Sequence, residues 1–270
     1  MSFPLGCEPL HKEVSIPTAD KPTSSANSAA ANTGLAALPM RAQLLAKSFL
    51  FRGLEPALLE RVARLCLPRK LGVGETLFWE DEPADALYGV ARGLIRIWVH
   101  GPDGRELTLN LMETGDFFGE IALLDGLPRT ASASALADTE MLSVPRAAFL
   151  ELMKQEPKLA LHIIELLCER LRHNTDRIRD AAFLDLGARL AKTLEALAAG
   201  HGEEGPDGIL ITAKLNQSEL AQLLGVTREA VNKQLKQFTQ DGLIATKGSR
   251  ILVRDAGALS ARGKVKEESA

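Results

Sequence analysis

Residues 118–132 read FGEIALLDGLPRTAS. Glu120 and, nine residues on, Arg129 stand in a stretch that is mostly apolar and small, and Gly119, Gly126 and Pro128 bend the path between them. A small phosphorylated ligand needs groups of this kind. Its phosphate wants a fixed guanidinium and backbone N–H groups at the start of a helical turn. A ribose hydroxyl wants a carboxylate acceptor, and glycine lets the backbone come close. Phe118, Gly119, Glu120, Ile121 and Ala122 can form such a turn. Pro128, Arg129, Thr130 and Ala131 then return a guanidinium, a hydroxyl and small groups to the same place. The plainer reading is a Glu120–Arg129 ion pair on a barrel rim, and single pairs of that kind are common.

A second set of residues suits nucleic acid. LNQSELAQLL reads as a short helix capped by Asn216 or Ser218, Gly225-Val226 as a turn, and TREAVNKQLKQFTQDG as a second helix with Thr227 as N-cap. LIATKGSRILVRD follows as a hairpin around Lys247-Gly248-Ser249. Two short helices, a glycine turn and a basic hairpin describe a winged helix-turn-helix. Residues 214–254 hold seven bases against three acids, a local charge of +4 in a chain of net charge −3. Thr227, Arg228, Glu229, Asn232 and Lys233 fall near one face of the second helix, and Val231, Leu235 and Phe238 are left for the buried face. An arginine can fork onto guanine O6 and N7, and a glutamate can accept from cytosine N4. Asn216, Gln217, Thr227 and the wing base Lys247 suit phosphate contacts. The plainer alternative is a three-helix subdomain with solvated charges.

These two sets need elements to position them. Residues 1–40 are rich in Ser, Ala, Thr, Pro and Asn and are expected to be disordered, because they offer too little apolar surface to offset ordering entropy. A helical stretch follows through LLAKSFLFRGLEPALLERVARLCL. From about 69 to 146 short β-branched and aromatic runs alternate with glycine corners. Strands near 87–99 and 105–112 flank the turn His100-Gly101-Pro102-Asp103-Gly104, as in a small antiparallel barrel or jelly roll. From 147 to 199 the period is helical, and Ile164, Leu167, Leu171, Asn174, Ile178 and Ala181 recur at alternating spacings of three and four. That seam fits a parallel dimer helix or an amphipathic helix lying on its own barrel. The expected fold class is α+β: a β-roll domain over 41–155, a dimerisation helix and hinge over 156–184, a winged helix-turn-helix over 185–256, and a flexible tail over 257–270.

Composition narrows the function classes. At 270 residues, 46% hydrophobic and 25% charged, the chain has material for about two globular domains. It lacks the apolar run of a membrane span and the basic-then-apolar start of a secretion signal, so a cytoplasmic protein is expected. Cys7, Cys66 and Cys168 are too scattered for a disulfide framework or a thiolate cage for zinc or iron–sulfur. His11, His100, His162, His173 and His201 offer no convincing haem ligand, and no motif resembles a catalytic triad, a metal cluster or a nucleotide-hydrolysing loop. A binding protein rather than an enzyme is expected.

The string F-G-E-I-A-L-L, a short loop, then P-R-T-A-S resembles the phosphate-binding cassette of cyclic-nucleotide-binding domains. With a barrel before it, a seam helix after it and a winged helix-turn-helix at the end, residues 45–255 resemble the cyclic-AMP receptor/fumarate–nitrate regulator family of bacterial transcription factors. AAFLDLGARLAKTL, with its hinge-like Phe183-Leu184-Asp185, matches the family as well. The resemblance implies a homodimer with the effector bound between barrel and long helix, and cyclic AMP as first-choice effector. Glu120 would hold the ribose hydroxyl, and Arg129 and Thr130 the cyclic phosphate, with backbone from Gly119 to Ala122. Asn174 and Thr175 would face the base, one from each subunit. It further implies a palindromic duplex with TGTGA-like half-sites and contact with RNA polymerase. Asn174 stands where the cyclic-AMP receptor has a threonine, and Lys233 where it has an arginine. Thr130 suits cyclic GMP as well. The same fold could answer to a cyclic dinucleotide or to no ligand, and a cyclic-nucleotide module acting on a partner protein is the reading from another class.

Overall fold

The computed structural model describes residues 37–212, 215–247 and 250–264. Of residues 1–40, expected to be disordered, 1–36 fall outside the described residues, as do the tail beyond 264 and Gly248 and Ser249 of the wing turn, whereas Leu38–Met40 are helical and correct that expectation. The chain enters through α1 (Leu38–Lys47) and α2 (Pro56–Leu65), each opened by a proline in its first turn, where a missing N–H costs no helical bond. It continues through β1 (Leu67–Leu71), β2 (Thr76–Phe78), β3 (Ala86–Arg92), β4 (Ile95–His100), β5 (Glu106–Met112), β6 (Phe117–Phe118), the short helix α3 (Glu120–Asp125), β7 (Ser132–Ala135), β8 (Thr139–Pro145) and α4 (Arg146–Gln155).

These strands make two antiparallel sheets ordered β1-β8-β3-β6 and β2-β7-β4-β5, the β-roll. The strand expected over 87–99 is two strands, β3 in one sheet and β4 in the other. The chain changes sheet at Gly93, whose φ is 109° and where a Cβ would stand 2.4 Å from Thr139 Oγ1. A side chain there would block the corner. Between the sheets lie Phe78, Tyr88, Val90, Ile95, Phe118 and Met141, all buried. A second cluster, with Phe51, Phe117, Phe149 and Leu159, joins α1, α2 and α4 to the roll.

The long helix α5 (Pro157–Phe183) follows, then α6 (Leu186–His201), whose first turn is capped by Asp185 accepting from Ala188 N at 2.7 Å. Within the apparent polar break after α6, residues pair as β9 (Gly202–Gly205) and β10 (Gly208–Ile211). The chain then forms α7 (Gln217–Leu224), α8 (Arg228–Gln240), β11 (Ile244–Lys247), β12 (Arg250–Val253) and α9 (Ala256–Gly263). One sheet of order β11-β12-β10-β9 supports the helices. The flexible tail expected from residue 257 is corrected by α9: Asp255 caps it through Ala258 N at 2.8 Å, and Leu259 is sunk in the core beside α6. Its small residues, AGALSARG, are loop-like in composition but allow close packing.

Candidate nucleotide pocket and nucleic-acid interface

Glu120 and Arg129 are brought to one pocket but do not pair with each other. Arg129 is 2% exposed. It donates from Nη1 to Gly119 O at 3.0 Å and from Nη2 to Ala86 O at 2.9 Å, and Nη2 lies 3.2 Å from the Asp85 carboxylate. Its guanidinium lies over the Phe78 ring at 4.2 Å. Asp85 in turn accepts from the Tyr88 hydroxyl at 3.0 Å; burial, and then Asp85 itself, push that phenol up to about 12. The guanidinium is thus fixed on three sides before any ligand arrives.

Gly119 is what allows this. Its φ is 84°, and a Cβ there would stand 2.6 Å from Arg129 Nη1, so both conformation and space require glycine. Glu120, 1% exposed, opens α3. Its Oε1 meets Arg170 Nη1 of α5 at 2.5 Å, and Arg170 also donates to Phe117 O at 2.5 Å. Glu120 Oε2 and Arg129 Nε are buried without a hydrogen-bond partner among the described residues. One acceptor and one donor of a buried ionic site are therefore unsatisfied within the described residues.

The cavity between roll and α5 has a volume of about 140 Å³. Phe118, Gly119, Glu120, Ile121, Ala122, Arg129, Thr130, Ala131 and Asn174 all line it, beside Phe78, Arg170 and His173. Thr175 does not: its hydroxyl donates to Leu171 O on its own helix at 2.9 Å. Arg170, Asp85 and His173 escaped the sequence reading. Arg170 is four residues before Asn174 and so shares its helix face, a signal that could have found it. Beyond the pocket, α5 exposes Ile164, Leu171, Ile178 and Phe183 at 55%, 68%, 71% and 76%. These form an apolar stripe that the described part of the chain leaves uncovered.

The second unit is built on α7 and α8. Asn216 caps α7 by accepting from Ser218 N and Glu219 N, and the Glu219 carboxylate accepts from Asn216 N in return, a capping box. Gly225, at φ 65°, ends α7 and turns the chain into Thr227, whose hydroxyl accepts from Ala230 N at 3.3 Å and caps α8. Val231, Leu235 and Phe238 bury one face of α8. Thr227, Arg228, Glu229 and Lys233 are exposed on it, and Asn232 is half-buried, accepting from the Gln217 amide at 3.4 Å. Arg228 and Arg250 line one cleft with Asn216 and Gln217, between α7 and the wing. The β11 strand of the wing ends at Lys247. Asn216 and Thr227 cap their helices through acceptor oxygens alone, which leaves the Asn216 side-chain NH2 and the Thr227 O–H as donors.

A β-roll with an anion cassette, a long helix with an uncovered apolar stripe, and a winged helix-turn-helix together define a DNA-binding regulator that carries a ligand domain. Comparison with known proteins gives the same division. Residues 68–156 match the cyclic nucleotide-binding domain model, and residues 188–262 match the Crp-like helix-turn-helix domain model. A CRP-like cAMP-activated global transcriptional regulator of Mycobacterium tuberculosis (strain CDC 1551 / Oshkosh) is 34% identical over 222 residues, 82% of this chain and 99% of that protein. The cAMP-activated global transcriptional regulator Vfr of Pseudomonas aeruginosa is 29% identical over 72% of this chain and 92% of its own. Among solved structures, the c-di-GMP responsive global regulator CLP of Xanthomonas campestris aligns with a TM-score of 0.67 at 25% identity, covering 74% of this chain and all of its own. The chain belongs to the CRP family of transcription regulators.

Proposed function

We propose that the protein is a homodimeric transcription factor whose DNA binding is controlled by cyclic AMP. The observation that carries the ligand assignment is the pair of buried, unsatisfied polar atoms in the cassette, Glu120 Oε2 and Arg129 Nε. They suit the ribose hydroxyl and the cyclic phosphate respectively, with Thr130 beside the phosphate. Asn174 lines the same cavity at the end where the base would lie. Thr175 faces away from its own pocket and serves the base of the partner's ligand. In this reading residues 41–155 form the ligand domain, 156–184 the dimer helix and hinge, and 185–263 the DNA-binding domain. The α5 stripe packs against its copy across a two-fold axis, as the alternating seam requires.

Two recognition helices related in this way reach successive major grooves about 34 Å apart, so the target is a palindrome. Arg228 and Glu229 read base edges, helped by Asn232 and Lys233, and Asn216, Gln217, Thr227 and Lys247 hold phosphates. The protein works in the cytoplasm, with RNA polymerase as its downstream partner, and regulates rather than catalyses. A cyclic dinucleotide is the second reading, favoured by the likeness to the regulator CLP. Calorimetric titration of the full-length protein with cyclic AMP, cyclic GMP and cyclic di-GMP separates them. Saturable heat with cyclic AMP, at one or more sites per chain, supports the proposal; heat with cyclic di-GMP alone, or with none, overturns it.

A further inference from the structure

The helix-turn-helix unit does not hang free from the hinge. It rests on the β4–β5 hairpin of its own roll, and the contact is polar and closed. Gln222, on the face of α7 opposite Leu220, Ala221 and Leu224, presents its amide to an ion pair on that hairpin. Its Oε1 accepts from Arg96 Nη1 at 2.5 Å, and its Nε2 donates to Glu106 Oε2 at 3.0 Å. Arg96 and Glu106 are themselves 2.7 Å apart, and Arg96, its side chain 12% exposed, lies over the Trp98 ring at 4.9 Å. Each partner contacts the other two, while Arg96 Nε stays buried without a hydrogen-bond partner among the described residues. A side-chain amide, with a donor and an acceptor on one carbon, closes such a ring.

A second tie lies one helix away. Arg177 of α5 donates to Thr108 O of β5 at 2.9 Å and to Leu109 O, and it reaches Leu223 O at the end of α7 at 3.5 Å. One half-buried guanidinium thus serves carbonyls of the roll and of the DNA-binding unit together. Arg177 also follows Arg170 by seven residues, so the two lie on one face of α5, about 10 Å apart along the axis. Arg170 holds Glu120 in the pocket; Arg177 holds the hairpin and α7.

We propose that Gln222 and Arg177 are positioning residues, which hold the helix-turn-helix unit on the β4–β5 hairpin and tie its pose to the helix that walls the nucleotide pocket. The coupling half of this rests on the proposed function; the holding half does not. A roll or slide of α5 that re-seats Arg170 must move Arg177 with it, because seven residues of unbroken helix connect them. Arg177 then changes its grip on β5 and α7. Neither residue touches the bases or the cavity.

The test uses full-length protein carrying Arg177→Met, Arg177→Lys, Gln222→Ala or Gln222→Glu, the last setting a carboxylate against Glu106. Hydrogen exchange without nucleotide reads the hold directly. Amides of β5 and α7 should exchange at least about fivefold faster in Arg177→Met and Gln222→Glu, with Arg177→Lys between these and the parent, and with β3 and β8 unchanged. Parent-like exchange in both severe variants overturns the hold. Fluorescence anisotropy on a palindromic duplex, with and without cyclic AMP, reads the coupling. The ratio of the two affinities should fall at least about fivefold towards one, while cyclic-AMP affinity stays within about threefold of the parent. Loosened exchange with an unchanged ratio overturns the coupling half. If the parent itself shows no response to the nucleotide, the functional reading and the coupling half fail, and the exchange result still decides the hold.

Discussion

The nucleotide pocket and the DNA-binding unit handle charge in opposite ways. In the pocket, Glu120 and Arg129 are almost wholly buried and held by partners on other elements, Arg170, Asp85 and the carbonyls of Gly119 and Ala86. On α8 the polar side is solvated and the apolar side does the holding, with Val231, Leu235 and Phe238 locked into the core. A buried guanidinium with its acceptors is part of the architecture, because removing it strands groups that water cannot reach. An exposed arginine on a well-anchored helix can be exchanged without cost to the scaffold. On the proposed reading, selection of a small anion is therefore bound up with stability, whereas selection of a duplex sequence is free to vary.

The largest effect expected from this contrast is at Arg129. Arg129→Ala should abolish cyclic-nucleotide heat in calorimetry and destabilise the roll by roughly 3 kcal/mol, since two buried carbonyls and Asp85 lose their donor. Unaltered denaturant midpoints would break the contrast from the pocket side. Next comes Leu171→Glu in the stripe between the two regions. It sets like charges across the seam, and light scattering should report half the parent's mass. A mass equal to the parent's would assign the stripe to some other cover. Arg228→Ala should cost roughly 1–3 kcal/mol on the parent's half-site and relax the preference at one guanine. Thermal unfolding should move by no more than about 0.5 kcal/mol. A stability loss there as large as at Arg129 would erase the distinction.

The smallest expected effect lies at the hinge. Asp185→Ala should cost about 1 kcal/mol as a lost helix cap. The Asp185 carboxyl is held below the usual aspartate range, first by the Ala188 N–H and then by Arg262. A lowered folded-state value means that its contribution is complete above the unfolded value of about 3.9 and fades as the pH falls through the folded one. The stability difference between Asp185→Ala and the parent should therefore shrink in acid, below about pH 4. A difference that stays constant from neutral pH to pH 3 would show that the charge plays no part.

The cassette was legible because its residues are contiguous: a glycine with positive φ, a helical turn and the returning Pro-Arg-Thr are all local. The same holds for α7, α8 and their caps. What sequence does not display is the partner brought from afar. Arg170 lies 50 positions from Glu120, and Asp85 44 from Arg129. Without them, Glu120 and Arg129 look like each other's counter-ions. The β3–β4 break was masked because apolar residues continue on both sides of Gly93, and only the corner with Thr139 shows where the chain changes sheet. β9 is GEEG, exposed throughout, and is a strand only because β10 pairs with it. Residues 257–263 read as a loop by composition, yet buried Leu259 and Gly263, the capping Asp255 and the Arg262–Asp185 contact dock them as α9.

The contact between Asp185 and Arg262 spans 77 positions of sequence, with two nitrogen–oxygen distances of 3.2 and 3.0 Å. Seen as a folding problem, it closes the DNA-binding unit like a clasp whose two halves are made at opposite ends of the segment. Every element from α6 to the wing lies inside that loop, so loop-closure entropy delays the contact until the intervening structure has shortened the gap. A chain emerging from the ribosome can complete its roll and its pocket while the start of α6 still lacks the arginine that holds it. The hinge is therefore among the last features to acquire its final form, and lesions in the terminal helix should first be felt there, far from where they occur in sequence.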